Sequence, residues 1–207
     1  EGKSSYLDVI DELGYTQVLK KHPEVSAIVL SERDYINLST EGLSNKIYLI
    51  PQHHCNFNRE KRTRKKITTV GIIGTRLAFS YLPSELEPRL LERGMNLLKF
   101  SEFFTRQDII DFYKKIDIQI VWRPYRKKLA NPLKIVNAAS FGIPTIALDE
   151  SYFKDMGNCY IGVQNLDQFF SELDLLIKYP TRYKAFSNLC LKKAEEYHIE
   201  KIAKLYE

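Results

Sequence analysis

From residue 67 onward, short apolar runs alternate with amphipathic stretches of helical period, and this alternation constrains the fold more than any other feature. The expected strands are Ile67–Ile73, Asn96–Phe100, Ile116–Trp122, Ile143–Leu148 and Cys159–Val163. Between and after them lie expected helices at about Ser84–Arg93, Arg106–Lys115, Pro132–Phe141, Asp167–Lys178 and Thr181–Tyr206, the last broken near His198. Strands that take turns with helices pair in parallel through right-handed crossovers. The expectation is an α/β fold with a doubly wound, Rossmann-like parallel sheet.

The first 58 residues read differently. Ser5-x-x-Asp8 has the form of a capping box for a helix toward Lys21 with an interruption at Gly14, and His22-Pro23 stops it. Val25–Leu30 and Lys46–Ile50 are expected strands, separated by a short helix that Ser31-x-x-Asp34 opens and Gly42 closes. Residues 59–66 then carry six basic side chains and one acid, a net +5. The whole chain is also +5, so its other residues sum to zero. The domain expectation is therefore 1–58, a basic linker at 59–66, and 67–207.

At 44% apolar and 28% charged, the 207 residues can bury a core. No apolar run approaches the ~18 residues that span a bilayer. Cys55, Cys159 and Cys190 are odd in number and far apart, which fits free thiols in a reducing compartment. Glu1–Ser5 reads as a processed end, not a signal peptide. The expected location is cytoplasmic.

Open parallel sheets bind ligands beyond the carboxyl ends of their strands, at a topological switch. That rule collects Gly74-Thr75-Arg76, Arg123-Pro124-Tyr125-Arg126 and Asp149-Glu150-Ser151. The helix with the clearest end signals opens into the same rim: Asn131 caps it, Pro132 takes its first position, and Gly142 ends it. Free amides at its start suit an anion, and Lys134 and Asn137 share a face of its first turns. Lysine, helix start and nearby arginines outline a phosphate site. Asp149 and Glu150 could be paired acids, but adjacent residues tend to diverge. His53-His54-Cys55 lacks a second ligand pair, so no metal site is expected. Walker A, GxSxG and HExxH motifs are absent from the sequence.

Asn131-Pro132-Leu133-Lys134-Ile135-Val136-Asn137-Ala138-Ala139-Ser140-Phe141-Gly142-Ile143-Pro144 resembles the donor-binding helix of GT-B fold nucleotide-sugar glycosyltransferases of the glycosyltransferase 4 type. Ile72-Ile73-Gly74-Thr75 is similar to their glycine loop, and residues 28–32 and 47–51 to the last strands of their N-terminal domain. The resemblance implies a C-terminal donor-binding domain joined to the tail of an N-terminal, acceptor-side domain. It implies retaining, metal-independent transfer from a nucleoside diphosphate sugar to a glycan or lipid-linked acceptor. Gly74, Thr75, Arg76, Asn131, Lys134, Asn137, Glu150 and Ser151 would bind the donor, with Lys134 and Arg123 as the catalytic cations. Two departures stand out. Leu129 takes the place of a sugar-holding glutamate, and the lysine that usually follows the glycine loop is absent, leaving Arg76 or Arg123 to replace it. The alternative reading is a non-catalytic nucleotide-sugar-binding module. For the basic run, a solvated linker and a peripheral contact with an anionic membrane surface both stay open. A nucleic-acid arm is disfavoured because no aromatic residue interleaves the run.

Overall fold

A computed structural model describes residues 5–10, 14–62, 64–123 and 131–207. It contains two parallel sheets. The first has strands β1 (Tyr6–Val9), β2 (Ser26–Val29) and β3 (Ile47–Leu49) in sequential order, joined by α1 (Tyr15–Lys21) and α2 (Glu32–Ser39). The second has β4 (Thr69–Ile73), β5 (Asn96–Phe100), β6 (Ile118–Val121), β7 (Thr145–Leu148) and β8 (Ile161–Val163), ordered β5-β4-β6-β7-β8. Its helices are α3 (Arg76–Ser80), α4 (Leu86–Leu91), α5 (Arg106–Lys115), α6 (Leu133–Ser140), α7 (Leu166–Lys178) and α8 (Pro180–Ala194). After a single 3-10 turn comes α9 (Ile199–Ile202).

The second sheet is doubly wound, as its pattern requires. Val70 and Ile72 of β4 point into one core with α4 and α7, while Ile73 points into the other, against α5. Gly71 faces α5 as well. A Cβ there would lie 2.4 Å from the Ile116 side chain and 2.9 Å from the Phe112 ring, so only glycine lets these groups pack so closely. The strand order changes direction at β4, with β5 on one side and β6 on the other. That is the switch point, and it positions the site.

One expected element is overturned. Residues 6–9 are a strand, not the start of a helix, and the helix begins only at Tyr15, after Gly14 at φ 70°. The local capping signal loses to tertiary pairing. Tyr6–Val9 lies in parallel register with Ser26–Val29, and Val9 is wholly buried. By contrast, Ser31 does cap α2, accepting the Asp34 amide at 3.1 Å.

The basic run is not a free arm. Arg62 is half-buried, and it and Arg64 both reach Asp117, which is fully buried just before β6. Asp117 also accepts the Thr68 and Thr69 amides at 2.8 and 2.9 Å, and Tyr183 donates to its carbonyl at 2.7 Å. Burial pushes the Asp117 carboxyl up, but Arg64 and the two amides outweigh it and hold the group below the usual carboxylate range. The solvated-linker reading therefore fails at Arg62 and Arg64. Arg59 pairs with Glu195 and Glu200.

The C-terminal elements cross back to the first sheet. Ile202 packs on Ile28 and Ile50. The His54 amide donates to the Tyr197 carbonyl at 3.1 Å, and His198 Nε2 donates to the Phe57 carbonyl at 2.9 Å. None of the described helices is long and apolar enough to cross a membrane.

Candidate functional site

A cleft of about 370 Å³ opens at the switch point, beyond the carboxyl ends of β4 and β6. Gly74 and Thr75 leave β4 on one side, and Trp122 and Arg123 leave β6 on the other. The start of α6 closes it with Asn131, Pro132 and Lys134. Five of the expected site residues thus meet in one place: Gly74, Thr75, Arg123, Asn131 and Lys134.

Local chemistry explains the arrangement at α6. Asn131 Oδ1 accepts the Leu133 amide at 3.0 Å, but the helix starts one residue later than expected, with Pro132 as its N-cap and Leu133 as its first residue. Gly142, at φ 66°, ends it. The Lys134 backbone is held from below by Gln119, whose Nε2 donates to the Lys134 carbonyl at 2.9 Å and to Thr145 Oγ1 at 3.2 Å. Tyr113 in turn donates to Gln119 Oε1 at 2.9 Å. The Lys134 ammonium then lies over Gly74, 3.1 Å from where a Cβ on that residue would sit.

Arg123 and Glu150 form a two-pronged ion pair across the rim. Arg123 Nε donates to Oε1 at 3.1 Å, and a second bond joins Nη2 to Oε2. The neighbouring Asp149 turns away and accepts from the Tyr160 hydroxyl at 2.8 Å, so the adjacent acids diverge.

The other expected residues lie elsewhere. Arg76 is 85% exposed and pairs with Glu102, outside the cleft. Asn137 is buried, and its Oδ1 accepts the Cys55 amide at 2.8 Å, tying the segment after β3 to α6. Ser151 begins a 3-10 turn that runs to Met156. Pro124, Tyr125, Arg126 and Leu129 lie outside the described residues. His54 and His198 pack edge to face, and among the described residues no cluster of three or more His, Cys, Asp or Glu could hold a metal ion.

Sequence reasoning missed three contributors. Gln119 is a lone amide inside Ile118-Gln119-Ile120-Val121, and a buried polar group in an apolar strand is the signal that could have found it. Phe103 and Phe153 also line the cleft. Both sit outside regular strands and α-helices, where no periodicity marks them.

The fold is that of about half of a GT-B glycosyltransferase chain, with parallel α/β sheets. Over 98% of this chain, the structure of TarM superposes with a TM-score of 0.66 at 12% identity, and the match takes in 49% of TarM. The pneumococcal O-GlcNAc transferase GtfA, solved in complex with UDP and GlcNAc, matches 93% of the chain with a TM-score of 0.64 at 14% identity, covering 46% of GtfA. Anabaena Alr3699/HepE, solved in complex with UDP, matches 99% of the chain with a TM-score of 0.71 at 11% identity, covering 71% of HepE. The chain spans about half the length of TarM and GtfA. No protein-family model and no curated protein sequence matches it.

Proposed function

We propose that this chain is the donor-binding part of a nucleotide-sugar glycosyltransferase. One observation carries the reading. A single cleft at the switch point joins a glycine loop, a capped helix start, a lysine lying on that glycine, and an arginine. The neighbours GtfA and HepE were solved with UDP, and a uridine or related diphosphate suits the same chemistry here.

The diphosphate lies on Gly74 and Thr75 and on the opening amides of α6. Lys134 and Arg123 neutralise the charge that grows on the diphosphate as the glycosidic bond breaks, which is where a preorganised cation helps most. Glu150 orients Arg123. Phe103, 40% exposed at the cleft wall, offers a ring to the planar base. Transfer with retention, without a metal, to a glycan or lipid-linked acceptor completes the reading, and acceptor contacts belong mainly to an N-terminal domain of which residues 1–58 are the tail. Calorimetry with UDP, GDP and ADP tests donor binding, and a wild-type chain that binds none of them overturns it.

The alternative is a non-catalytic binding module. The engagement of Arg123 by Glu150 favours it, since a cation already paired is less available to a leaving group. Donor that binds but is neither transferred nor slowly hydrolysed would select this reading.

A further inference from the structure

Two motifs of the sequence take no part in the cleft: His53-His54-Cys55 and the basic run. Both arrive at a second, open cavity of about 510 Å³ between residues 54–62, the end of α6 and α8. It shares no lining residue with the donor cleft.

His54 is the unusual member of its lining. It is 2% exposed, and its Nδ1 accepts the Asn56 amide at 3.2 Å, so the neutral ring carries its proton on Nε2. Among the described residues that N–H has no hydrogen-bond partner. The atom is not among the fully buried polar atoms left without a partner, so it opens to the cavity and is free to donate there.

Charge points the same way. Four cationic side chains and two carboxylates line the cavity. Arg59 is engaged by Glu195 and Glu200, Arg62 by Asp117, and Glu60 by Lys114. Lys61 and Lys192 are in no ion pair among the described residues, and both are exposed. Two cations therefore remain uncompensated, one on each wall.

We propose that this cavity is a second binding site, for a phosphate monoester on a small organic body. A monoester carries about −1.5 to −2 charges at neutral pH, which Lys61 and Lys192 balance. The His54 Nε2–H donates to one of its oxygens, and Phe141, Leu191 and Ala194 offer apolar wall to the carbon part. Occupancy would bridge the crossing segment to α8. That helix packs on the end of α6, where a Cβ on Gly142 would meet Ser187 and Leu191, so the site braces the helix that carries Lys134.

The test is an NMR titration of the full chain with phenyl phosphate and with inorganic phosphate, following the His54 ring signals. Saturable shifts are expected in the wild type. In the K61A/K192A double variant the affinity should fall at least tenfold with an unchanged melting midpoint, whereas Lys134→Ala should leave it unaltered. His54 signals that do not move, or that move equally in K61A/K192A, overturn the proposal. Flotation with phosphatidic-acid vesicles separates the sources: binding that phenyl phosphate displaces assigns the monoester to a lipid headgroup, and its absence beside a positive titration assigns it to a soluble metabolite.

Discussion

Lys134 lies directly on Gly74: a methyl group added to that glycine would sit 3.1 Å from the lysine ammonium. The two residues belong to different crossovers, and their meeting defines the floor of the donor cleft. Lys134→Ala is expected to weaken nucleoside diphosphate binding by about 1.5–3 kcal/mol, the range for hydrogen bonds to charged groups. Gly74→Ala should weaken it as well, by displacing the ammonium. Calorimetry measures both, and circular dichroism checks that the fold is retained. Unchanged affinity in the lysine variant removes Lys134 from the site.

Glu150 offers a sharper test, because two roles predict opposite signs. If it orients and occupies Arg123, Glu150→Gln loosens that hold and the dissociation constant for UDP falls. A dissociation constant that rises instead returns Glu150 to the donor-binding role that the resemblance implies.

Asp117 is expected to be the most sensitive structural position. Removing one partner of a buried pair costs about 3–5 kcal/mol, because the remaining charges stay buried. Asp117→Ala should lose stability on that scale in urea denaturation. Arg62→Ser and Arg64→Ser should also destabilise the fold, while Lys65→Ser, at an exposed position, should not. Equal midpoints for all three basic variants would contradict the structural role.

Acidification should act through His54. Burial, and then the field of His198, lowers its pKa from 6.5 to about 4. Below pH 6.5 the unfolded chain takes up a proton that the folded chain refuses, so stability falls as the pH drops from 6.5 to 4. The full effect is about 3 kcal/mol by linkage. Denaturation at pH 7 and pH 5 reads it, and the slope should flatten in His54→Phe.

Phe103→Ala should lower affinity for nucleotides without altering affinity for inorganic pyrophosphate, since only the former carries a base. A parallel loss for both ligands would assign the ring to packing.

How far the sequence could be read depended on how local each determinant was. Every strand of the second sheet was legible because its apolar runs alternate with stretches of helical period, and α5 falls on Arg106–Lys115 as expected. Gly74, Asn131 and Lys134 were legible because helix caps and strand ends announce themselves within a few residues. Residues 6–9 were not, since a strand completed by partners 20 residues away outweighs a capping pattern written in four. Asn137 misled for a related reason. Its position on the helix face was right, but the Cys55 amide claims it, and only the fold brings that group near. Arg62 and Arg64 looked like solvent-facing charge until Asp117, more than 50 residues on, supplied their partner.

The return of Ile202 to Ile28 and Ile50 also bears on the order of assembly. A parallel sheet is stable only when both faces are covered, and α1 and α2 cover just one face of the first. The other is closed by residues that the ribosome delivers some 150 positions later than β3. Closing a loop of that span is slow, and it comes after the local crossovers of the second sheet. During synthesis, the first sheet must therefore wait half-dressed, with Ile28 and Ile50 bare, until the second domain has formed and handed back its last helix. Chaperone dependence and aggregation of this chain would be set in that interval.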